Sequence, residues 1–498
     1  MAEITDNAVT QLNGLELYKC QILSAENKII DLKPTLVEIN YFEDIFSNAT
    51  SGNIVLNDSG GLHNAYSWCG DEFVLLEFDK PGNLDKNKRF RGMFRIFKTQ
   101  GRHLTGREFN ETFVLHFCCE EEFLSNRMQL NKSYKQMRIS DIVKDIALNV
   151  LKIPKDKFPD TNIEPTFGKY DIVIPNMRPL EAVAWLCTMA IADNSSGSHG
   201  GPEGGATYLF YKNRYGWNFR SILSIFNNIP KFEYKSPFKK SKNTSGYWYG
   251  TKNLSPKKDM NFDFDPFEQI ISYQIVDNHD AMDMMQSGMV SNKLIAIDYL
   301  RRTHEEKVFD YEKYFNNHLA KKVEMYKTYN KNPILSNAED RFKKKHNEYQ
   351  PVVKIAPSTT NQKNNPYIKE RQPNIPQNFV ENTIPYRFAQ LGLINFNRLK
   401  LLISGDPYIA IGNIIYIHFP QAKEEKGTKP LDRFLKGRYL VSAVRQRFDQ
   451  GVYETVLECV KDAYCGQVEA RTNVQGLKPF DNSNNVIIQV RSDNYKWW

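Results

Sequence analysis

Two stretches that lie far apart in the sequence follow nearly the same pattern. Residues 92–118 read GMFRIFKTQGRHLTGREFNETFVLHFC, and residues 437–459 read GRYLVSAVRQRFDQGVYETVLEC. Each begins at a glycine, runs through an alternating apolar strand, crosses a polar turn and returns through Glu-Thr to a cysteine. In this alignment Glu111-Thr112 corresponds to Glu454-Thr455. The repetition predicts a β module that occurs twice in the chain.

The segments upstream of the two hairpins support the duplication. Both show the order strand, turn, Ser-Gly and strand, at 36–41, 51–52 and 53–56 in the first module and at 270–275, 287–288 and 294–297 in the second. Directly before each hairpin, residues 70–78 and 412–419 share a glycine, polar residues and an apolar strand. Gly412 and Gly437 are expected to mark turns that require a permissive backbone.

The fold class that follows is mainly β with α+β insertions. At 498 residues the chain is long for one hydrophobic core, so several domains are expected. The predicted division is a first tube-type β-barrel module at 1–118, an α+β inserted domain with a basic and aromatic linker at 119–258, the first part of a second β-barrel module at 259–318, a helical and polar insertion with an extended arm at 319–385, the remainder of the second module at 386–465 and a C-terminal tail at 466–498.

The inserted domain carries helical patterns. Ser140 is a plausible N-cap for a helix whose apolar face runs from Ile142 to Leu151, and Pro154 ends that helix. A second helix is expected to begin with Pro179 in its first turn. Strands are predicted at Thr207–Tyr211 and Trp217–Ile225.

Composition places the chain among ordinary soluble proteins. Hydrophobic residues make up 41% and charged residues 25%, and the formal charge of +8 is spread over a long chain, which is a weak argument for nucleic-acid binding. The polar N-terminus predicts no signal peptide, and no apolar window is long enough for a membrane helix. We therefore expect a protein that is made in the cytoplasm and has no membrane anchor.

The seven cysteines are not spaced as zinc ligands or as an obvious disulfide framework. Cys118 and Cys119 are adjacent, and the remaining five stand singly, mostly within apolar runs. This distribution predicts buried, reduced thiols rather than disulfides or a metal site.

Three polar segments could carry ligand chemistry, and each has a simpler structural explanation. Residues 195–205 are glycine-rich, but they lack GK[ST] and follow a helix, so a mobile loop is favoured over a phosphate site. Residues 239–258 mix lysines with Tyr247, Trp248 and Tyr249; they could bind single-stranded nucleic acid, although a solvated linker or protein contact is commoner. Acidic residues and asparagine alternate at positions 259–265 as in a calcium-binding loop, but the glycine and the glutamate of such a loop are absent, so a polar entry to a strand is favoured over a calcium site.

The segments at 350–385 and 466–498 differ from the modules. The first is rich in Pro, Asn and Gln and is expected to form an extended arm. The second contains an isolated strand pattern at 486–490 and ends in Trp497-Trp498, which suggests a tail that docks on a partner or on its own domain.

The sequence contains few recognisable catalytic motifs. The nine histidines show no HExxH spacing, and there is no GxSxG motif. Glu120-Glu121-Glu122 is expected to be a solvated charge run. We predict a protein that is not an enzyme, with no catalytic, cofactor-binding or metal-binding residues and no cofactor.

The pattern resembles one family. The segment from Ser51 to Leu56, the interruption by an α+β insert, and the closing block from Ser404 through Val441 look like the baseplate hub subunit of contractile-tailed bacteriophages. This family includes the late-control tail proteins and the hub half of type VI secretion spike proteins. The resemblance covers the two modules and the insert, about three quarters of the chain, and rests on strand-and-turn patterns.

The resemblance implies a fold and a role. Family members contribute two tube-type barrels each, and three subunits form a pseudo-sixfold ring that joins a hexameric tail tube to a trimeric central spike and lines the DNA ejection channel. The implied partners are two further copies of the chain in a homotrimer, the central spike protein, the tail tube protein, other baseplate (wedge) proteins and the tape measure, with transient DNA contact in the lumen. The implied location is the virion baseplate, after assembly in the host cytoplasm.

Two other classes of function are compatible with the sequence. A tail-associated cell-wall hydrolase needs paired carboxylates in a cleft, and such acids can lie far apart in sequence. A DNA-binding channel protein would turn the lysines of 239–258 or 343–345 toward the lumen, whereas we expect them outside because each phosphate contact would retard the DNA.

Overall fold

The structure, a computed structural model, has a mainly β architecture built around one 13-stranded sheet. It describes residues 14–62, 68–81, 88–105, 110–193, 201–227, 247–251, 269–278, 280–299, 302–319, 352–358, 380–394, 397–418, 435 and 437–461. The mainly β fold class predicted from the sequence is confirmed.

Seven strands near the N-terminus form the sheet that we call module A. They are β1 (Glu16–Leu23), β2 (Ile29–Asp31), β3 (Leu36–Asp44), β4 (Ser51–Asp58), β5 (Phe73–Asp79), β6 (Phe90–Thr105) and β7 (Asn110–Cys118), with a 3-10 turn at Lys33–Thr35. Their order in the sheet is β3-β4-β7-β6-β5-β1-β2. Alternate residues of β1 and β3–β7 point into a single buried cluster, so the sheet wraps around its own core as in a barrel.

The inserted domain follows module A. Its elements are α1 (Glu120–Arg127), β8 (Leu130–Met137), α2 (Ile139–Asp145), β9 (Tyr170–Met177), α3 (Pro179–Cys187), α4 (Gly201–Gly204), β10 (Tyr208–Asn213), β11 (Gly216–Ser221) and α5 (Ile222–Asn227), with a π-helical turn at Ile146–Val150 after α2 and a 3-10 turn at Asp160–Asn162. Strands β8 and β9 form a two-stranded antiparallel sheet with α2 between them in the sequence, and β10 and β11 form a hairpin. The predicted helix that begins at Pro179 is confirmed as α3.

Two boundaries in the inserted domain differ from those predicted. The N-cap of α2 is Arg138, and Ser140 lies inside the helix, where its backbone N–H donates to the Thr166 Oγ1 at 2.9 Å. The strand predicted at Trp217–Ile225 ends at Ser221, and the following residues form α5. A short, fully buried apolar run does not distinguish a strand from a helix, which explains the second error.

The elements after the inserted domain form a second barrel and a smaller sheet. They are β12 (Tyr247–Thr251), β13 (Gln269–Asn278), α6 (Ala281–Gln286), β14 (Ser291–Asp298), β15 (Thr303–Asp310), α7 (Tyr311–Tyr314), β16 (Val352–Pro357), α8 (Val380–Ile394), β17 (Asn397–Ser404), β18 (Ile414–His418), β19 (Gly437–Asp449) and β20 (Val452–Lys461), with a π-helical turn at Phe315–Leu319.

Six of these strands form the closed sheet that we call module B. Its order is β12-β13-β17-β20-β19-β18, and β12 also pairs with β18. The order repeats that of module A, with β13, β17, β20, β19 and β18 in the places of β3, β4, β7, β6 and β5. Strand β12 differs from β1 because it runs parallel to its neighbour, whereas β1 is antiparallel to β5.

The second strand of module B is not the one predicted. Residues 294–297 belong to β14, which pairs with β15 and β16 in a separate three-stranded sheet. Strand β17 pairs with β13 and occupies the place that β4 has beside β3. The sequence pattern points to the next strand along the chain, because α6–α8 and three strands are inserted between β13 and β17 and the pattern does not reveal this insertion.

Two parts of the predicted extended arm at 350–385 lie among the described residues. Val352–Pro357 forms β16, which pairs in parallel with β14, and α8 begins at Val380. The expectation of an arm is therefore wrong for these two parts. Residues 466–498, with the predicted strand at 486–490 and the terminal tryptophans, lie outside the described residues.

The two hairpins that suggested the duplication share a β-bulge. In module A the pairing of β6 with β7 shifts between Ile96 and Lys98, and in module B the pairing of β19 with β20 shifts between Val441 and Ala443. Counted back from these bulges, the glycines that open the two stretches fall at equivalent positions. A bulge is a specific feature of a ladder, so its recurrence at one position confirms the predicted repetition.

A second bulge also recurs. The pairing of β3 with β4 shifts between Leu36 and Glu38, and that of β13 with β17 shifts between Ile270 and Ser272. In both modules the bulged residue lies on the first strand of the pair. Two shared bulges fix the residue-by-residue correspondence of the modules.

This correspondence corrects the sequence alignment by one residue. Ile96 pairs with Phe117 before the bulge in module A, and Val441 pairs with Cys459 before the bulge in module B. Phe117 and Cys459 are therefore equivalent, and Glu454 corresponds to Thr112 instead of Glu111. The Glu-Thr match aligned residues whose side chains point to opposite faces of the sheet, because successive side chains of a strand alternate in direction.

The two glycines expected at turns behave differently. Gly412 has a φ of +82°, and a Cβ at this position would lie 2.6 Å from the hydroxyl oxygen of Tyr211. Gly437 is the first residue of β19 and pairs with Ile417. The expectation of a turn is therefore correct for Gly412 and wrong for Gly437.

Replacement of Gly412 by alanine should destabilise the protein more than the same change at Gly451. Both residues have positive φ, but nothing lies within 4 Å of a Cβ at Gly451. We expect Gly451→Ala to cost about 1 kcal/mol for the left-handed backbone, and Gly412→Ala to cost about 1–2 kcal/mol more because the Tyr211 side chain must move. Urea unfolding of the two variants measures the difference; equal losses would contradict the tight contact.

Candidate assembly interface

Modules A and B are joined by a β ladder between β3 and β19. Residues Glu38–Asp44 of β3 pair in antiparallel register with residues Ala443–Asp449 of β19, as seven consecutive Cα partners. The ladder makes one continuous sheet from the two modules. Strand β3 is therefore covered on both edges, by β4 within module A and by β19 from module B.

Charged side chains cross this junction beside the backbone ladder. Arg445 Nε donates to Asn40 Oδ1 at 2.8 Å, and Arg447 Nε lies 3.2 Å from Glu38 Oε1. The guanidinium of Arg445 also lies 3.4 Å from Glu38. All three charged side chains are partly exposed, so these contacts specify the register more than they stabilise it.

One carboxyl group is fully buried where the two modules and the inserted domain meet. Glu43 lies on β3, accepts a hydrogen bond from Tyr41 Oη at 2.9 Å and another from the backbone N–H of Ile411 at 3.2 Å. The backbone N–H of Arg214, in the inserted domain, also donates to this group. Burial raises the pKa of Glu43 from 4.5 to about 7, and these hydrogen bonds oppose the rise.

A second contact also joins the three parts of the chain. Tyr408 Oη, in the loop before β18, donates to Asp79 Oδ1 of module A at 2.8 Å. The Arg214 guanidinium carbon lies 5.4 Å from the ring centroid of Tyr408 and 5.8 Å from that of Phe90. Arg214 Nη2 donates to the carbonyl oxygen of Lys88 at 2.8 Å. The inserted domain therefore fixes the relative position of the two modules.

Strand β13 presents an exposed face in module B. Ile271, Tyr273 and Ile275 are 50%, 49% and 38% exposed. Tyr273 and Ile275 are the ladder partners of Leu401 and Leu399, which are buried. In module A the counterparts of Tyr273 and Ile275 on β3 are buried in the core. An exposed apolar face at such a position is typical of a protein-binding surface.

The polar segments considered as ligand sites lie mostly outside the described residues. This holds for residues 194–200 of the glycine-rich loop, for 228–246 and 252–268, and therefore for most of the lysine-rich stretch and all of the acidic repeat. Residues 201–204 of the loop form α4. Tyr247, Trp248 and Tyr249 belong to β12, which pairs with β13 and β18; the expected linker thus contains a strand of module B.

The acidic run at 120–122 is not the solvated face expected. Glu121, at the start of α1, lies 2.7 Å from Lys212 Nζ and accepts a hydrogen bond from Trp217 Nε1 at 3.4 Å. The pKa of Glu121 is lowered by the charge of Lys212 and by these hydrogen bonds, against the opposing effect of burial. The carboxylate holds α1 against the β10–β11 hairpin.

The cysteines are largely as predicted. Cys20, Cys118, Cys119, Cys187 and Cys459 are buried free thiols, whereas Cys69 is exposed. Burial raises the pKa of Cys187 to about 12, so this thiol is unreactive at neutral pH. Cys465 lies outside the described residues.

A cleft of about 770 Å³ lies beside α7, and two of its acidic groups make local contacts within the fold. Asp310 accepts hydrogen bonds from the backbone N–H groups of Glu312 and Lys313 and caps α7. Glu203 Oε2 lies 3.0 Å from His318 Nδ1. Across the described ranges, no group of three or more His, Cys, Asp or Glu side chains is arranged to hold a metal ion.

No helix in the described part of the chain is both long enough and apolar enough to span a membrane.

Replacement of Glu43 by glutamine should change how stability depends on pH. Because the pKa of Glu43 is about 7 in the folded protein and near 4.5 when exposed, the folded state binds more protons between these values, and stability is lost as pH rises through this range. Glu43→Gln removes this loss. The difference in free energy of unfolding, variant minus wild type, should therefore increase by on the order of 2–3 kcal/mol from pH 4.5 to pH 7.5.

Urea unfolding at a series of pH values measures this gain. Tyr41→Phe is the matched variant, because it removes the hydrogen bond to the ionised carboxylate and should move the pH dependence to higher pH. Parallel profiles for wild type and Glu43→Gln would contradict the assignment.

Comparisons with known proteins gave matches in structure only. No protein-family model matches the sequence, and no curated protein matches it. The structure is similar to the 43 kDa tail protein of prophage MuSo2 from Shewanella oneidensis, with 10% identity and a TM-score of 0.47, over 90% of this chain and 99% of that chain. It is similar to a tail protein from Neisseria meningitidis, with 11% identity and a TM-score of 0.46, over 90% and 97%.

A third similar structure is a component of the type VI secretion system of E. coli, which is itself described as similar to bacteriophage tail proteins. The identity is 9% and the TM-score 0.37, over 91% of this chain and 78% of that chain. The solved structures similar to this chain thus include phage tail proteins and a tail-like secretion component.

Proposed function

We propose that this chain is the hub subunit of a contractile-tail baseplate. Three copies form a ring with six β modules, which joins a hexameric tail tube on one side to a trimeric central spike on the other and lines the channel through which DNA is ejected. Its role is structural and not enzymatic. Its partners are two further copies of itself, the spike, the tube protein, other baseplate (wedge) proteins and the tape measure, in a virion that assembles in the host cytoplasm.

The observation that carries this proposal is the duplication of the module. Modules A and B share one strand order and two bulges, so they are equivalent building blocks within one chain. A tube with sixfold symmetry and a spike with threefold symmetry cannot both match a ring of single-module subunits. Three chains with two modules each present six similar positions to the tube and three identical ones to the spike.

The module junction gives a second argument. Because β3 of module A pairs with β19 of module B, neighbouring modules are related head to tail, as in a ring. A head-to-tail contact that repeats with a closing rotation produces a closed assembly. The exposed apolar face of β13 supplies a surface on which such a contact can continue.

Light scattering of the purified chain over a range of concentrations tests the proposal. We expect a species with three times the 57.9 kDa mass of the chain, and electron microscopy should show a ring with six lobes around a central channel. A monomer that persists at high concentration, or a particle with twofold symmetry, would contradict the proposed ring.

A further inference from the structure

The internal junction shows which edge of module A is open. Strand β19 pairs along one edge with β20; its other edge carries β18 at residues 437–440 and β3 at residues 443–449. The equivalent strand of module A, β6, pairs with β7 in the same way and carries β5 at residues 90–95. Within the ranges that the structure describes, no strand pairs with β6 at the position that β3 occupies on β19.

Module B has the complementary open edge. Strand β3 pairs with β4 on one edge and with β19 on the other. Its equivalent, β13, pairs with β17, but on its second edge the described residues provide only β12, at Gln269 and Ile270. Residues 272–277 of β13 are all exposed, whereas Ile39, Asn40 and Tyr41 in β3 are buried.

We propose that β13 of one chain pairs with β6 of a second copy, in the antiparallel arrangement that joins β3 to β19 within the chain. This inference rests on the proposed trimeric ring, and it names the strands and the register that close it. The contact is head to tail, and each chain offers one β13 edge and one β6 edge, so three chains can close a ring with no open edge of this kind remaining.

An insertion in each of the two strands supports this pairing. Between Gln100 and His103, β6 has two residues opposite one residue of β7, whereas the equivalent part of β19 pairs with β20 without a shift. Between Ile275 and Asp277, β13 also has one additional residue, whereas the equivalent part of β3 pairs with β4 without a shift. Each strand is thus one residue longer than its counterpart.

The two insertions fall at the same point of the junction. In the internal ladder the corresponding point is the pair Gln446 and Tyr41. An additional residue on one strand alone would interrupt the ladder there. Because both strands have gained one, the insertions cancel, and residues 272–278 of one chain can pair without interruption with residues 105–99 of the next.

The resulting register brings suitable side chains together. His103 lies opposite Gln274, and Gln100 lies opposite Asp277, so both pairs can form hydrogen bonds across the two chains. Ile275 lies opposite Arg102, whose long aliphatic stem can cover part of the exposed apolar face of β13. All six side chains are exposed in the single chain.

Cysteine cross-linking tests this register. Opposed residues of an antiparallel ladder have Cα atoms about 4.5–5.5 Å apart, which is within the range for a disulfide. The variant His103→Cys/Gln274→Cys, with Cys69→Ser to remove the exposed native thiol, should form covalent dimers and trimers under mild oxidation. On a denaturing gel most of the protein should shift, and the series should end at three chains.

Three controls make the result specific. His103→Cys/Tyr273→Cys moves one cysteine to the opposite face of β13 and should not cross-link. Asp44→Cys/Ala443→Cys lies in the internal ladder and should form a disulfide without change of mass. The Cys69→Ser parent reports the background from the remaining native cysteines.

The outcomes separate this inference from the proposed function. Specific cross-linking that ends at three chains supports the ladder. A trimer by light scattering that fails to cross-link, or that cross-links equally in the Tyr273 control, overturns the ladder and leaves the hub assignment intact. A chain that is monomeric at every concentration and does not cross-link overturns both.

Discussion

The backbone ladder between β3 and β19 is the interaction on which the rest of the structure depends. It converts two separate β modules into one 13-stranded sheet, and its hydrogen bonds require a fixed register. A slip by one residue would turn each side chain of β3 to the wrong face and expose the core of module A. The ion pairs of Glu38 with Arg445 and Arg447 select the correct register from those that backbone geometry alone permits.

The inserted domain acts on this ladder from one side. The buried carboxyl group of Glu43, at the end of β3, receives hydrogen bonds from module B and from the inserted domain, and Arg214 packs against residues of both modules. Such a group loses its hydration on folding, so it is tolerated only where its hydrogen bonds are satisfied. The position of the inserted domain is therefore fixed by the same residues that hold the modules together.

The sequence reveals the duplication because strand alternation and turn residues are local properties. Gly92 and Gly437 have the same place in their ladders, as the sequence indicates. It does not reveal β17 as the partner of β13, because a long insertion separates the two strands. The sequence also misplaces the Glu-Thr match by one residue, because it does not show which residue of each strand forms the β-bulge. The sequence also does not reveal the Glu43 site, because Glu43, Arg214 and Ile411 are far apart in the chain and are brought together only by the fold.

The one-residue insertions in β6 and β13 have a consequence for the fidelity of assembly. Once two equivalent modules share a chain, either could in principle occupy its neighbour's place, and β13 of one molecule could displace β3 from β19 of another. The longer strand does not match the shorter one, so an exchanged pair would have an uncompensated bulge and a broken ladder. Strand β13 would therefore pair only with β6, and β3 only with β19. The junctions within chains and between chains would then alternate around the proposed ring.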